Sequence, residues 1–449
     1  MNKTIKIANG QGFWGDSIDA PYNLIKYGDI DYLTLDYLAE VTLSIMQRQK
    51  LKNPKKGYAT DFVDLIKRVI SDILEKDIKI VTNAGGVNPE VCRDELLNLS
   101  FELGLDLKIA IIKGDDILNH IDLLQTKGVN FDNMDDNSSF DNIKKNVYSA
   151  NAYINSFSIS DALKTGANII LAGRVSDPGL VLGPAIYEFG WKIDDYDKLA
   201  AGTLAGHILE CGAQCSGGNF TDWKNIPNLD NVGYPVAILS DDTTFQITKP
   251  KNTGGKINRY TIIEQVLYEM GDPKNYISPD VVVDFTSFSI NEINNDIVEI
   301  SGVKGYPATD TYKVSINYFN GYKASGQLTI SGPNALEKAQ FTSELIWKRL
   351  KNAGISFDDY LTEYLGVSSC HGNKIKEYKS NSNEVVIRLS VRDIDKSKVI
   401  RFGKELAPVI TSGPPGVTGF SGGRPRPQEI IAFWPCLINK KHINIEVVE

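Results

Sequence analysis

Five times between residues 5 and 177 a short apolar run gives way to a loop rich in glycine and acid, usually with a helical pattern behind it. Ile5–Ala8 enters Asn9–Asp16, Tyr32–Leu35 enters Asp36–Glu40, and Ile78–Thr82 enters Asn83–Gly86. Leu107–Ile112 enters Lys113–Asp116, and Ile169–Ala172 enters Gly173–Asp177. Phe62–Leu74, Pro89–Leu103 and Ile159–Thr165 carry helical periodicity between them. Short apolar strands alternating with helices predict an α/β chain with a mostly parallel sheet and flanking helices, doubly wound or barrel-like.

From about Gly233 the grammar changes. Val236–Leu239 and Phe245–Lys249 read as a hairpin around Ser240–Thr243. Val281–Phe288, Ile297–Ser301, Lys313–Tyr318, Gly326–Ile330 and Ile430–Trp434 read as further strands, with helices over Ala335–Ala353 and Lys396–Pro408. At 449 residues the chain is too long for one ordinary core. The expected organisation is an α/β domain over 1–230 carrying the ligand site, and an α+β domain over 231–449. Gly128–Lys145, rich in Asn and Asp, reads as a mobile excursion or a lid. The Gly/Pro-rich Ser412–Pro427 stretch reads as a surface loop.

A net charge of −8 argues against nucleic acid as a partner. Five scattered cysteines suit a reducing compartment, and no apolar run reaches the ~18 residues of a membrane span. The expectation is a cytoplasmic protein with no membrane partner.

Ligands of open parallel sheets bind at the carboxyl ends of strands, so the five loops are candidates for one polar site. Gly10, Gly12, Gly85 and Gly86 let backbone N–H groups approach an anion, while Asn9, Asp16, Asn83 and Asp115 fix orientation. The alternative is that these are turn residues and helix caps. Gly10, Gly12 and Gly15 match the spacing of a dinucleotide fingerprint, but Phe13-Trp14 would then start the phosphate-facing helix, which disfavours nicotinamide or flavin. Asp36 and Glu40, spaced i, i+4, share a face if a helix starts at Asp36. Arg174 with Asp177 suits a carboxylate or phosphate, or is a local ion pair.

The densest chemistry lies in Gly206–Asn219. His207, Glu210 and Cys211 at i, i+3 and i+4 suit acid/base or nucleophilic work, with Asn219 as a further ligand contact. The same spacing serves a metal, yet no second His/Cys cluster completes a structural zinc site. No cofactor is expected, a divalent metal being the lesser reading. The bland alternative is a core histidine at a helix end closed by Gly212.

Ala8–Asp16, Leu35–Glu40, Asn83–Pro89, Lys113–Asp116, Ala150–Tyr153, Ala172–Asp177, Gly206–Gln214 and Gly217–Phe220, in this order, resemble the acyclic terpene utilisation (AtuA) family over nearly the whole chain. The resemblance implies a neighbourhood of acyl-CoA carboxylases in terpene breakdown. Longer members carry a small C-terminal domain, so it also implies a separate small subunit equivalent to that domain, or a homo-oligomer covering the same surface. Polar site motifs favour a small branched organic acid, or its acyl-CoA thioester, over the terpene itself. The leading reading is general acid/base chemistry, with hydration/dehydration by a lyase first. His207 or Asp36 is then the base, with Arg174 the anchor and Gly10–Gly12 and Gly85–Gly86 the anion cradle. Two alternatives stand beside it. One is a non-catalytic subunit of an acyl-CoA carboxylase or hydratase assembly, and the other a metal-assisted hydrolase using Asp36, Asp115, His207 and Glu210.

Overall fold

A computed structural model describes residues 3–374, 381–419 and 422–449. The chain forms two compact units, one of residues 1–317 with 433–449 and the other of residues 318–432.

In the first unit the apolar runs become β1 (Thr4–Gln11), β2 (Tyr32–Leu35), β3 (Lys79–Thr82), β4 (Ile109–Lys113), β5 (Val147–Ala152), β6 (Ile169–Leu171), β7 (Val236–Ser240) and β8 (Phe245–Thr248). β1, β2, β3, β6 and β4 lie side by side and parallel. All four residues of β2 and all three of β6 are buried, as strands covered on both faces require. Helices fill the crossovers. Thr60–Glu75 buries Phe62, Ile66, Val69 and Ile73 along one stripe, and Gly190 in a left-handed conformation ends the Gly179–Phe189 helix.

The expected mostly parallel sheet, doubly wound or barrel-like, is not what forms. The sheet is mixed and ten-stranded: β7 joins β1 antiparallel, β8 and the strands Ile297–Ser301 and Ser289–Asn294 extend it antiparallel, and Glu446–Val448 closes the other side against β4. The reason is connectivity. A tight turn at 241–244 has no room for a crossover helix, so β7 and β8 must run antiparallel, and only long-range pairing places them on β1. Strands that the sequence grammar puts in a second domain from 231 onward therefore complete the first sheet.

Other departures are local. Val282–Asp284 pairs in a small antiparallel sheet with Tyr276–Ile277 and Lys304–Tyr306. Asp36–Glu40 is loop, and the helix behind it is Thr42–Lys52, so the expected shared helical face does not exist. The expected excursion at Gly128–Lys145 is pinned, since Phe131 and Phe140 are buried with ring centroids 5.4 Å apart and Trp434 Nε1 donates to Phe131 O at 2.9 Å.

In the second unit Asp359–Leu365, Glu384–Asp393 and the latter part of the long Thr311–Ser331 strand make an antiparallel sheet. The helices Ala335–Asn352 and Lys396–Glu405 bury Ile346, Leu350, Val399 and Phe402 against Leu328, Ile387 and Leu389 of the sheet.

Candidate functional site

The loops after β2 and β3 are knitted by side chains rather than left open. Asn83 Nδ2 donates to Asp36 Oδ1 at 2.7 Å, the Leu38 N–H donates to the same oxygen at 3.0 Å, and Asn83 Oδ1 accepts from the Tyr37 N–H at 2.7 Å. Burial, reinforced by the charge of Asp177, pushes the Asp36 carboxyl up to about 8, against the pull of Arg174 and these hydrogen bonds. Asp115, after β4, does a similar job. Its Oδ2 accepts from Asn151 Nδ2 at 2.9 Å and from the Arg174 N–H at 2.8 Å, while burial pushes its carboxyl up to about 6.

Those braces deliver Arg174 to the wall of a cavity of about 450 Å³. Arg174 is 2% exposed. Its Nη1 donates to Leu38 O at 2.6 Å and to Asp177 Oδ1 at 2.8 Å, and its guanidinium carbon lies 4.3 Å from the Tyr153 ring centroid. Burial works against the charge, but Asp177, Tyr153 and Asp36 more than compensate and hold Arg174 protonated. Its Nε has no hydrogen-bond partner among the described residues. A buried donor without an acceptor is costly unless a ligand supplies one.

Lys313 adds a second cation, with Nζ 5.2 Å from the Tyr153 ring centroid. Tyr153 Oη donates to Glu40 Oε1 at 3.2 Å. Burial opposes ionisation of Glu40, yet its own backbone N–H and the charges of Arg174 and Lys313 hold it below the ordinary range. Met134, Ile277, Pro279 and Leu437 form an apolar side to the same cavity.

The helix Tyr196–Leu209 is buried from Leu199 to its end and brings His207 and Glu210 into the lining of the same cavity. His207 Nε2 lies 3.2 Å from Val266 O, and since a carbonyl only accepts, that nitrogen carries hydrogen. His207 Nδ1 then sits 2.8 Å from Glu210 Oε1. The separation is that of an ion pair, and among the described residues neither Nδ1 nor Glu210 Oε2 has a further hydrogen-bond partner. Two lone pairs do not face each other at this distance in a buried site, so the pair holds one proton. Burial disfavours the imidazolium, but Glu210 and Val266 O raise His207 overall; burial raises Glu210, with His207 opposing. Tyr276 and Phe285 pack on the imidazole at 5.4 and 5.3 Å.

Of the residues singled out in the sequence, His207, Glu210, Arg174, Asp177 and Glu40 line this one cavity. Asp36 does not, and acts from behind Arg174. Cys211 does not either, and burial followed by the Glu210 charge pushes its thiol up to about 12, which leaves it no thiolate. Gly86 and Asp115 line a separate cavity of about 520 Å³.

The loop Asn9–Asp16, expected to cradle an anion, is occupied by the protein. Asn9 Nδ2 donates to Leu209 O and Glu210 O at 2.8 and 3.1 Å, the Gly12 N–H donates to Asp16 Oδ2 at 3.0 Å, and Tyr234 Oη donates to Asp16 Oδ1 at 2.7 Å. Gly12 is required because a Cβ there would lie 2.9 Å from Glu210 O, so the loop abuts the helix end that carries the His207–Glu210 pair. Gly10 abuts Pro21, Gly85 abuts Pro89, and Asn219 takes a left-handed turn, φ 55°.

Tyr153, Lys313, Glu269, Tyr276 and Tyr312 are among the cavity residues that sequence reading did not place in the site, and Glu40 was read only as the acid four residues after Asp36. Glu40 and Tyr153 lie inside recognised motifs and were within reach. Lys313 begins an alternating strand, and nothing local marks Tyr276 or Tyr312. Among the described residues no three His, Cys, Asp or Glu side chains gather as a metal site, and Asp36 and Asp115 are not in the cavity with His207 and Glu210.

The chain matches the family model described as acyclic terpene utilisation family protein AtuA over residues 5–448. No curated protein and no solved structure matches it. Among the described residues no helix is long and apolar enough to cross a membrane.

Proposed function

Because the chain belongs to the acyclic terpene utilisation family, we propose that the 450 Å³ cavity is an active site for a small branched organic acid, or for the acyl end of its thioester, worked by proton transfer through Glu210. The observation that carries this reading is one cavity lined both by a buried one-proton pair and by a buried arginine whose Nε has no partner among the described residues. A carboxylate or thioester carbonyl oxygen takes the Arg174 Nε–H, with Lys313 adding positive charge as the oxygen gains electron density. Glu210 removes the proton from the carbon next to that carbonyl, and His207, fixed in tautomer by Val266 O, stabilises the protonated pair. The carbon–hydrogen electrons form the double bond, the β carbon–oxygen bond breaks, and the departing hydroxide takes the proton back as water. Hydration is the reverse. The apolar side at Met134, Ile277, Pro279 and Leu437 accommodates a branched chain. The cavity volume suits an acyl group, not an entire thioester carrier.

Exchange of the α-hydrogen for deuterium, followed by NMR with branched 3-hydroxy acids and their CoA thioesters, tests this. The expected result is exchange with wild type and loss in Glu210→Gln. Exchange persisting in E210Q removes Glu210 from the chemistry, and tight binding without exchange or turnover points to the non-catalytic subunit instead.

A further inference from the structure

The second unit holds a basin of about 1110 Å³ whose lining has one sign of charge. Arg388, Lys404, Arg424 and Arg426 line it, and among the described residues no carboxylate does. Arg388 is neutralised by a two-point pair with Glu363, Nε to Oε2 at 2.6 Å and Nη2 to Oε1 at 2.7 Å. Lys404, Arg424 and Arg426 have no ion pair among the described residues, which leaves three uncompensated cations in a chain of net charge −8. The nearby acids do not offset it: Glu405 is held by Arg349 and Arg401, and Glu429 does not line the basin. The cavity of about 520 Å³ in the first unit is different, because Glu90, Asp115, Asp116 and Glu446 line it beside Lys50, Lys113 and Lys127.

The arginine-bearing loop is also seated. The Pro425 ring lies where a Cβ at Gly326 would be, 2.6 Å away, and Pro425 O lies 2.5 Å from a Cβ built at Gly403. Pro425 therefore docks between the strand and the helix Lys396–Glu405, and the prolines on either side of Arg426 limit its backbone freedom. Holding like charges together raises the energy of the empty protein, and a bound polyanion relieves it.

We propose that this basin binds the phosphates of a diphosphate-bearing small molecule. Guanidinium forks match phosphate oxygens in pairs, and a phosphate monoester carries about −1.5 to −2 charge at pH 7, so a diphosphate offsets a surplus of this size. Gln327, Gln428 and Ser325 line the same basin and offer neutral hydrogen bonds to whatever the diphosphate is attached to.

Calorimetric titration of the full chain with pyrophosphate, ADP and coenzyme A at low and moderate salt tests this. The expected result is binding of at least one probe, weakening as salt rises, and reduced about tenfold or more in the Arg424→Ala/Arg426→Ala double variant, since one charged hydrogen bond alone is worth about that factor. Pyrophosphate binding as well as the larger probes identifies the diphosphate alone as the ligand feature. ADP or coenzyme A binding tighter shows that the basin also reads the nucleoside or the pantetheine end. Lys404→Ala, on an exposed helix position, gives a second loss should the double variant melt early. Glu210→Gln, in the other unit, keeps full binding, so failure of the acid/base reading leaves this result standing. No binding of any probe at millimolar concentration, or undiminished binding by a folded double variant, overturns the proposal.

Discussion

Gly173 leaves room for the carboxylate of Asp115: a Cβ at position 173 would lie 2.1 Å from Asp115 Oδ1. The other oxygen of that carboxylate holds the Arg174 N–H at 2.8 Å. The strand end thus turns on a glycine so that an acid can orient the arginine beside it.

Gly173→Ala forces Asp115 away and takes Arg174 with it. We expect a loss of about 1–3 kcal/mol from overpacking, together with weaker binding of carboxylate ligands by the surviving folded protein. Urea denaturation and calorimetry on the same preparation check both. Full affinity in a destabilised variant would show that Asp115 does not govern Arg174.

His207→Ala and Glu210→Gln separate chemistry from packing. Glu210→Gln keeps volume and removes the titrating group, so rate falls by ~10²–10⁴ with little change in melting. His207→Ala also empties a buried site between Tyr276 and Phe285 and leaves Val266 O unpaired, so both rate and melting temperature fall. A histidine variant that melts early but keeps its rate per folded molecule would mark His207 as core alone.

Asp36 predicts a pH dependence of stability. Its folded-state value, near 8, exceeds the unfolded value near 4, so the folded state binds the proton more tightly. That contribution is complete below about pH 4 and is lost as pH rises through about 8. Asp115, at about 6, acts in the same direction over the lower half of that window. Asp36→Asn resembles the protonated form and does not titrate, so its stability should fall less between pH 4 and 8. Parallel denaturation curves for the two proteins across that range would refute a raised Asp36.

Arg174→Lys tests the anchor. A lysine keeps one charge but has no fork to span Leu38 O, Asp177 and a ligand together. We expect ligand affinity to drop by about tenfold or more, while Asp177→Asn, half-exposed at the rim, weakens it less. Equal losses in the two would mean that the ion pair, not the free Nε, is what matters.

The legible part of the site was the part built on strand ends and on one helix. Arg174 and Asp177 follow β6 directly, and His207 and Glu210 are three apart at a helix end, so spacing alone put each pair together. Asp36 was legible as an important acid, but its burial behind Arg174, outside the cavity lining, is a property of packing and not of its motif. In Asn9 to Asp16 the glycines do permit close approach, and what Gly12 approaches is the helix end carrying Glu210, a contact that no local pattern announces.

Taken alone, the amino-acid order determined the parallel centre of the first sheet, since strand, loop and helix are set by periodicity and turn chemistry within about ten residues. It also determined the two pairs of chemical residues, whose partners are local. Tertiary structure decided the rest. β7 joins β1 across more than two hundred residues of chain, and Lys313, Tyr276 and Tyr312 reach the cavity from strands and loops beyond them. The cations at 388, 404, 424 and 426 share one basin. Such juxtapositions depend on which faces find each other when the core closes, a long-range outcome that no local pattern encodes.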